Sequence, residues 1–257
     1  MTLNRSDRPS GITGNARRTW GYVFLLMGIA GQSLIQNHLL GVGSVTTTQL
    51  MEILNADSSM MILATIALVC QAVSTCAVPI FAFLLVEGFL HTSDWKRYLT
   101  RVSLMALAAE IPYNLAMSSK LIDLSSRNPA FGLVLSFVLM LLFRRYSEKK
   151  PANVLLRIVF VVAAVLWSRM LFIADAGAMV IMTTAYWAFR NRPNFRTLVA
   201  CGAAGMCVTM SMFYLMAPMS AFAINMYNGE PGTQNRAFNY AAYPLTLLCF
   251  GVAVLFL

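Results

Sequence analysis

Apolar positions in this chain fall in long unbroken runs, not in the alternation of a half-buried strand or the stripe of a surface helix. About 20 apolar residues, rising about 1.5 Å each, cross the hydrocarbon of a bilayer. Cut at their polar breaks, the runs predict helices over 19–37, 60–90, 97–118, 129–146, 153–170, 173–189, 197–219 and 236–256. The run at 60–90 exceeds one straight span and contains Pro79. A kink is expected there, because proline removes a backbone bond and clashes with the preceding turn. Residues 157–189 admit two short spans or one tilted span, broken by Arg169 and Asp175. Residues 45–55 place Leu50, Met51, Ile53 and Leu54 after a threonine run, as in a short amphipathic helix lying on a membrane surface. Asn128-Pro129 offers a cap and an opening proline for the helix that follows, and Ser93 or Asp94 can cap the helix at 97. Asn228-Gly229-Glu230-Pro231-Gly232 reads as a turn-rich outer loop.

The cations orient these helices. Arg5, Arg8, Arg17 and Arg18 precede the first run, and Lys96, Arg97 and Arg101 follow the second. Arg144, Arg145, Lys149, Lys150 and Arg157 follow the fourth, and Arg190, Arg192 and Arg196 the sixth. The alternate connections hold only Lys120, Arg127, Arg169 and Arg236. Cationic loops stay on the side of synthesis. The expectation is an all-α, polytopic transmembrane helix bundle of about eight spans, one domain over 1–257, with N and C termini cytoplasmic, in the cytoplasmic (inner) membrane. Trp20, Trp95, Trp167 and Trp187 lie near helix ends, where indole favours the interface. The first run follows Arg17-Arg18 and ends in no small-x-small site, so it reads as a retained helix.

Composition agrees. The hydrophobic share is 58% and the charged share only 11%, against about a quarter charged in soluble domains. The net charge of +9 suggests nucleic acid, but its clustering between apolar runs is the pattern of topology instead. The bilayer is the expected partner, and no nucleic acid. Cys70, Cys76, Cys201, Cys207 and Cys249 lie inside apolar runs without metal-ligand spacing, so no metal is expected. Phosphate-loop, dinucleotide and HExxH motifs are absent.

Ionisable groups at membrane depth are costly unless paired, so each marks a candidate site. Glu87 and His91 stand one helical turn apart, just before Lys96, Arg97 and Arg101. They read either as an acid–base pair beside a phosphate-holding mouth or as a helix-end ion pair with Arg101. Glu110 lies deeper, before Ile111-Pro112, where proline leaves the carbonyl of Ala108 without a donor. A polar pocket around a kink is expected there. Asp175 can neutralise Arg169, and His38 lies in an outer segment.

The stretch 79–116, PIFAFLLVEGFLHTSDWKRYLTRVSLMALAAEIPYNLA, resembles the core of the TraX family, as do Tyr227-Asn228-Gly229 and Tyr243-Pro244-Leu245. The family's namesake acetylates the N-terminal amine of a pilin subunit with acetyl-CoA as donor. The resemblance implies acetyl-CoA as a donor substrate and a protein or small-molecule acceptor bearing an amine or hydroxyl. It implies catalytic roles for Glu87, His91 and Glu110 and phosphate contacts for Lys96, Arg97 and Arg101. The chain departs from the pattern at Gly31-Gln32, Thr75 and Thr246, where the family carries Asp-His, arginine and histidine. A membrane transporter or flippase and a non-catalytic membrane scaffold remain alternatives.

Overall fold

The computed structural model describes residues 11–42, 45–148, 150–226 and 236–256. The expected outer loop at 228–232, together with Arg5, Arg8 and Lys149, lies outside these residues. Helix dominates. Among the described residues the β-pairing is a single bridge between Arg127 and Ile173.

Helix α1 (Gly14–Ile29) is capped by Thr13, whose hydroxyl accepts from the Ala16 amide, and runs straight into a π-helical stretch, Ala30–Leu39. Helix α2 (Thr47–Ala56) opens on a capping box between Thr46 and Gln49. It precedes α3 (Ser58–Ser74) and α4 (Ala77–His91). Next come α5 (Trp95–Ser118), capped by Asp94 as expected, and α6 (Ala130–Arg145). Helices α7 (Pro151–Met170) and α8 (Ala176–Ala188) form a hairpin, so 157–189 is two helices. Phe172 and Asp175 turn the corner at φ 53° and 55°. Then follow α9 (Pro193–Cys207), two 3-10 turns at Met212–Leu215 and Ala217–Met219, α10 (Ser220–Asn225) and α11 (Arg236–Phe256).

Two expectations need correction. The kink in the second run is a full break at Thr75-Cys76, one turn before Pro79. The proline ring clashes with the carbonyl four residues back, which is that of Thr75. That carbonyl is taken instead by the Val78 amide at 3.3 Å. The helix expected over 197–219 stops at Cys207 and gives way to the 3-10 turns. Pro112, by contrast, is absorbed within a continuous α5.

The chain direction also differs from the expectation of both termini on one side. Ile12 donates to the Met226 carbonyl, so the chain leading to α11 has returned to the end where α1 starts. Tyr22 then donates to the Asn239 carbonyl, and Gly251 stacks on Leu115 near the far end of α5. Helix α11 therefore runs parallel to α1 and α5 and finishes at the opposite end of the bundle from Gly14.

Packing sorts the helices by burial, not by apolarity. Helices α4 and α8 form the core, with Phe83, Ile80, Met182 and Tyr186 fully enclosed. Helix α7 is long and apolar enough to cross a membrane, yet only 11% of its apolar window is buried; Leu155, Ile158, Val162 and Trp167 point outward. Ser58–His91 and Phe238–Phe256 meet the same test, and Ala176–Ala188, Leu198–Cys207 and Met212–Asn225 are shorter apolar helical segments. An outward surface this apolar is suited to lipid.

Candidate functional site

The C-terminal ends of α4, α6 and α8 and the N-terminal ends of α5 and α7 meet at one end of the bundle, which also carries most of the cations. Helix α4 delivers Glu87 and His91 here. His91 Nδ1 lies 2.8 Å from the Glu87 carbonyl oxygen and 3.6 Å from Glu87 Oε2. Donation from Nδ1 to that carbonyl leaves Nε2 with its lone pair. The His91 side chain is 77% exposed and that of Glu87 18% exposed, so the pair is open to solvent on the imidazole side. Gly88 permits close approach of α5: a Cβ there would sit 2.6 Å from the Tyr98 hydroxyl. Burial on the α4–α5 seam thus fixes the turn that carries the pair.

The first turn of α5 carries the expected phosphate contacts. Lys96 Nζ lies 5.7 Å from the centre of the Trp95 ring, and Arg97 Nε is 3.5 Å from Asp94 Oδ2. Arg101 is exposed one turn further on. Glu87 and His91 share this end with all three cations.

Glu110 does not join them. It stands ~22 Å along α5 from Trp95, by the rise of a helix. Its Oε2 accepts from the Asn128 amide nitrogen at 3.2 Å and from Asn128 Nδ2 at 2.6 Å. Asn128 is completely buried. Its Nδ2 also donates to the Ala106 carbonyl, and its Oδ1 accepts from the Ala130 amide to start α6. The polar centre on α5 is therefore the α5–α6 turn, not a pocket at the proline. The pair expected between Asp175 and Arg169 does not form either: Asp175 Oδ1 accepts from the Tyr214 hydroxyl at 2.6 Å. Nearby, Asp123 sits in an exposed loop where the Ser125 hydroxyl and amide hold its carboxyl down at about 2. Among the described residues no group of His, Cys, Asp and Glu has the arrangement of a metal site.

Residues 37–254 match the family model described as TraX protein. The chain belongs to the TraX family. Comparison with curated proteins and with solved structures gives no match. The match covers Glu87, His91, Lys96, Arg97, Arg101 and Glu110, and it starts after Gly31-Gln32, so the departure in the first helix falls outside it.

In this TraX-family chain two features escaped the sequence. Arg17 is no interfacial anchor: it is 1% exposed, with its guanidinium 4.4 Å from the centre of the Phe83 ring. Gly14, Arg17 and Gly21 share one buried face of α1, and that small–Arg–small spacing was the available signal. The second feature is a cavity of about 360 Å³ at the cationic end, lined by Phe89, Phe143, Trp187, Arg144, Arg157 and Arg190 among others. Leu90 and Thr92 also line it, on either side of His91.

Proposed function

We propose that the protein is a membrane acyltransferase that moves an acetyl group from acetyl-CoA to an amine or hydroxyl acceptor. The observation that carries this reading is a solvent-open imidazole, oriented by its own helix and set beside a cationic end, within a TraX-family chain. His91 Nε2 takes the proton as the acceptor nitrogen or oxygen attacks the thioester carbonyl. The carbon–sulfur bond then breaks, and the departing CoA thiolate takes up the proton. A well-placed base contributes about 10²–10⁴-fold. Glu87 stabilises the imidazolium formed in between, and Lys96, Arg97 and Arg101 attract the donor phosphates. Glu110 has a positioning role in this scheme, because its distance from His91 keeps it from the same acyl group. Purified protein in lipid should transfer radiolabelled acetyl from acetyl-CoA to a primary amine. Wild-type protein without such transfer across a panel of amines and alcohols would refute the reading.

The cationic end faces the cytoplasm in this proposal, by the positive-inside rule. The direction of α11 moves its start, Arg236, onto that same side, which strengthens the charge asymmetry. A reporter fused after Leu257 should then signal from the side opposite a reporter fused before Met1.

One observation favours transport as a second reading. The break at Thr75-Cys76 meets the irregular segment after α9, and interrupted helices that meet inside a bundle are the usual substrate sites of transporters. Uptake into proteoliposomes that is abolished by Thr75→Val, with acetyl transfer absent, would select it.

A further inference from the structure

Arg144, Arg157 and Arg190 converge from three helix ends on one cleft. A second lobe, of about 440 Å³, shares Ser147, Arg157 and Arg190 with the first and adds Arg192. Ligand sites commonly measure ~300–1,000 Å³, so either lobe accommodates a small charged group.

Arg157 and Arg190 are held in place by neutral partners, and Arg144 is exposed at the rim. Arg157 donates from Nε to the Asn153 carbonyl at 3.3 Å and from Nη2 to the Glu148 carbonyl at 3.0 Å. Arg190 donates from Nη1 to the Trp187 carbonyl at 2.8 Å and lies over the Trp187 ring at 4.4 Å. Both side chains are half-buried. Among the described residues no carboxylate lies within 4.0 Å of Arg144, Arg157 or Arg190; the nearby Glu148 carboxylate pairs with Lys150 at 2.7 Å instead. Backbone carbonyls and an aromatic face fix the geometry of the Arg157 and Arg190 guanidinium groups while leaving their charge uncompensated.

That arrangement is costly without an anion. Like charges in a partly desolvated cleft repel. Lysine can escape by losing its proton when buried, but arginine keeps its charge. The relief available is a bound group of opposite charge. Planar forks suit tetrahedral oxyanions, which accept paired bonds from each guanidinium. The aromatic wall of Phe89, Phe143 and Trp187 excludes water from one side and strengthens those bonds.

We propose that Arg144, Arg157 and Arg190 form a site for an anionic phosphate ester, the phosphomonoester of a nucleotide or the phosphodiester of a lipid. Its source is either a soluble nucleotide or the headgroup of an anionic phospholipid. This assignment is separate from acetyl transfer, which was placed on Glu87, His91 and the first turn of α5.

The test uses the full chain, purified and placed in nanodiscs of phosphatidylcholine alone or with phosphatidylglycerol. Binding of 3′,5′-ADP is read by calorimetry, and retained phospholipid by native mass spectrometry. Arg157→Ala and Arg190→Ala should each weaken whichever ligand binds by about tenfold or more, whereas Lys120→Ala, which removes the same charge at the other end, should change it less than about twofold. Wild-type protein adds a readout immune to misfolding: the bound ligand should protect Arg157 and Arg190 from phenylglyoxal. Phospholipid retention that is lost with the arginines, without nucleotide binding, upholds the site and assigns it to the membrane, and retention that survives both substitutions overturns it. Nucleotide binding that is lost with the arginines upholds it and assigns it to a soluble ligand. Nucleotide binding that survives both substitutions, with no protection of either arginine, overturns the site while leaving the acetyl-CoA reading intact. Failure to retain either ligand overturns it outright.

Discussion

The two polar ends of this bundle handle charge in opposite ways. At the end away from the cations, the acids are hydrogen-bonded by neighbours of the same chain. Glu110 is held by Asn128, Asp175 by Tyr214 and Asp123 by Ser125. At the cationic end, Arg157 and Arg190 rest on carbonyls and a tryptophan ring, Arg144 lines the same cleft, and an imidazole stands open beside them. A polar group satisfied internally holds structure together, whereas one that is oriented yet unsatisfied awaits something from outside. The contrast predicts that substitutions at one end cost stability and at the other cost chemistry.

The largest effect that sharpens this contrast is expected at His91. His91→Ala should lower acetyl transfer by about 10²–10⁴-fold, with no change in the melting temperature of the detergent-solubilised protein. A drop in melting temperature with unchanged transfer would break the comparison. Asn128→Ala should do the reverse. It removes the cap on Ala130 and strands Glu110, at a cost of about 1–3 kcal/mol, read as a lower thermal midpoint. Glu110→Gln is milder, on the order of 1 kcal/mol or less, because an amide oxygen still accepts from Asn128 Nδ2. Loss of transfer in a well-folded Glu110→Gln protein would instead move the base to Glu110. The smallest effect belongs to Asp123. Its folded carboxyl titrates at about 2, below its ordinary 3.8. A depressed carboxyl stabilises the fold above its unfolded value and loses that contribution as pH falls through the folded one. The stability difference between wild type and Asp123→Asn should therefore be constant at neutral pH and vanish between about pH 4 and pH 2.

Much of the helical layout was legible because hydropathy reports how long a run is. The helices at 95–118, 130–145, 151–170, 176–188 and 236–256 all fall where the runs placed them. Failures came where apolarity carried no conformational signal. Between Cys207 and Asn225 the chain stays mostly apolar, and Thr209, Ser211, Pro218 and Ser220 interrupt it too sparsely to end the run, so hydropathy passed over the change from α-helix to 3-10 turns and back. That missed reversal turned α11 the wrong way. Glu87 and His91 were legible because a four-residue spacing puts them on one face without help from distant residues. The cleft was not, since Arg144, Arg157 and Arg190 come from separate helices and each alone reads as a topology marker. Asn128 was legible as a cap, but its hold on Glu110 depends on tertiary packing.

The break at Thr75-Cys76 has a further outcome. The Thr75 hydroxyl donates to the Phe213 carbonyl at 3.1 Å, and the Cys76 thiol to the Met216 carbonyl at 3.2 Å. Two interruptions far apart in the chain are thus riveted to each other, the first supplying both donors and the second both carbonyls. Cys76 is only 3% exposed, so an alkylating reagent can meet its sulfur only when the rivet opens. The rate of alkylation at this one thiol is a built-in clock for how often the interior of the bundle comes apart.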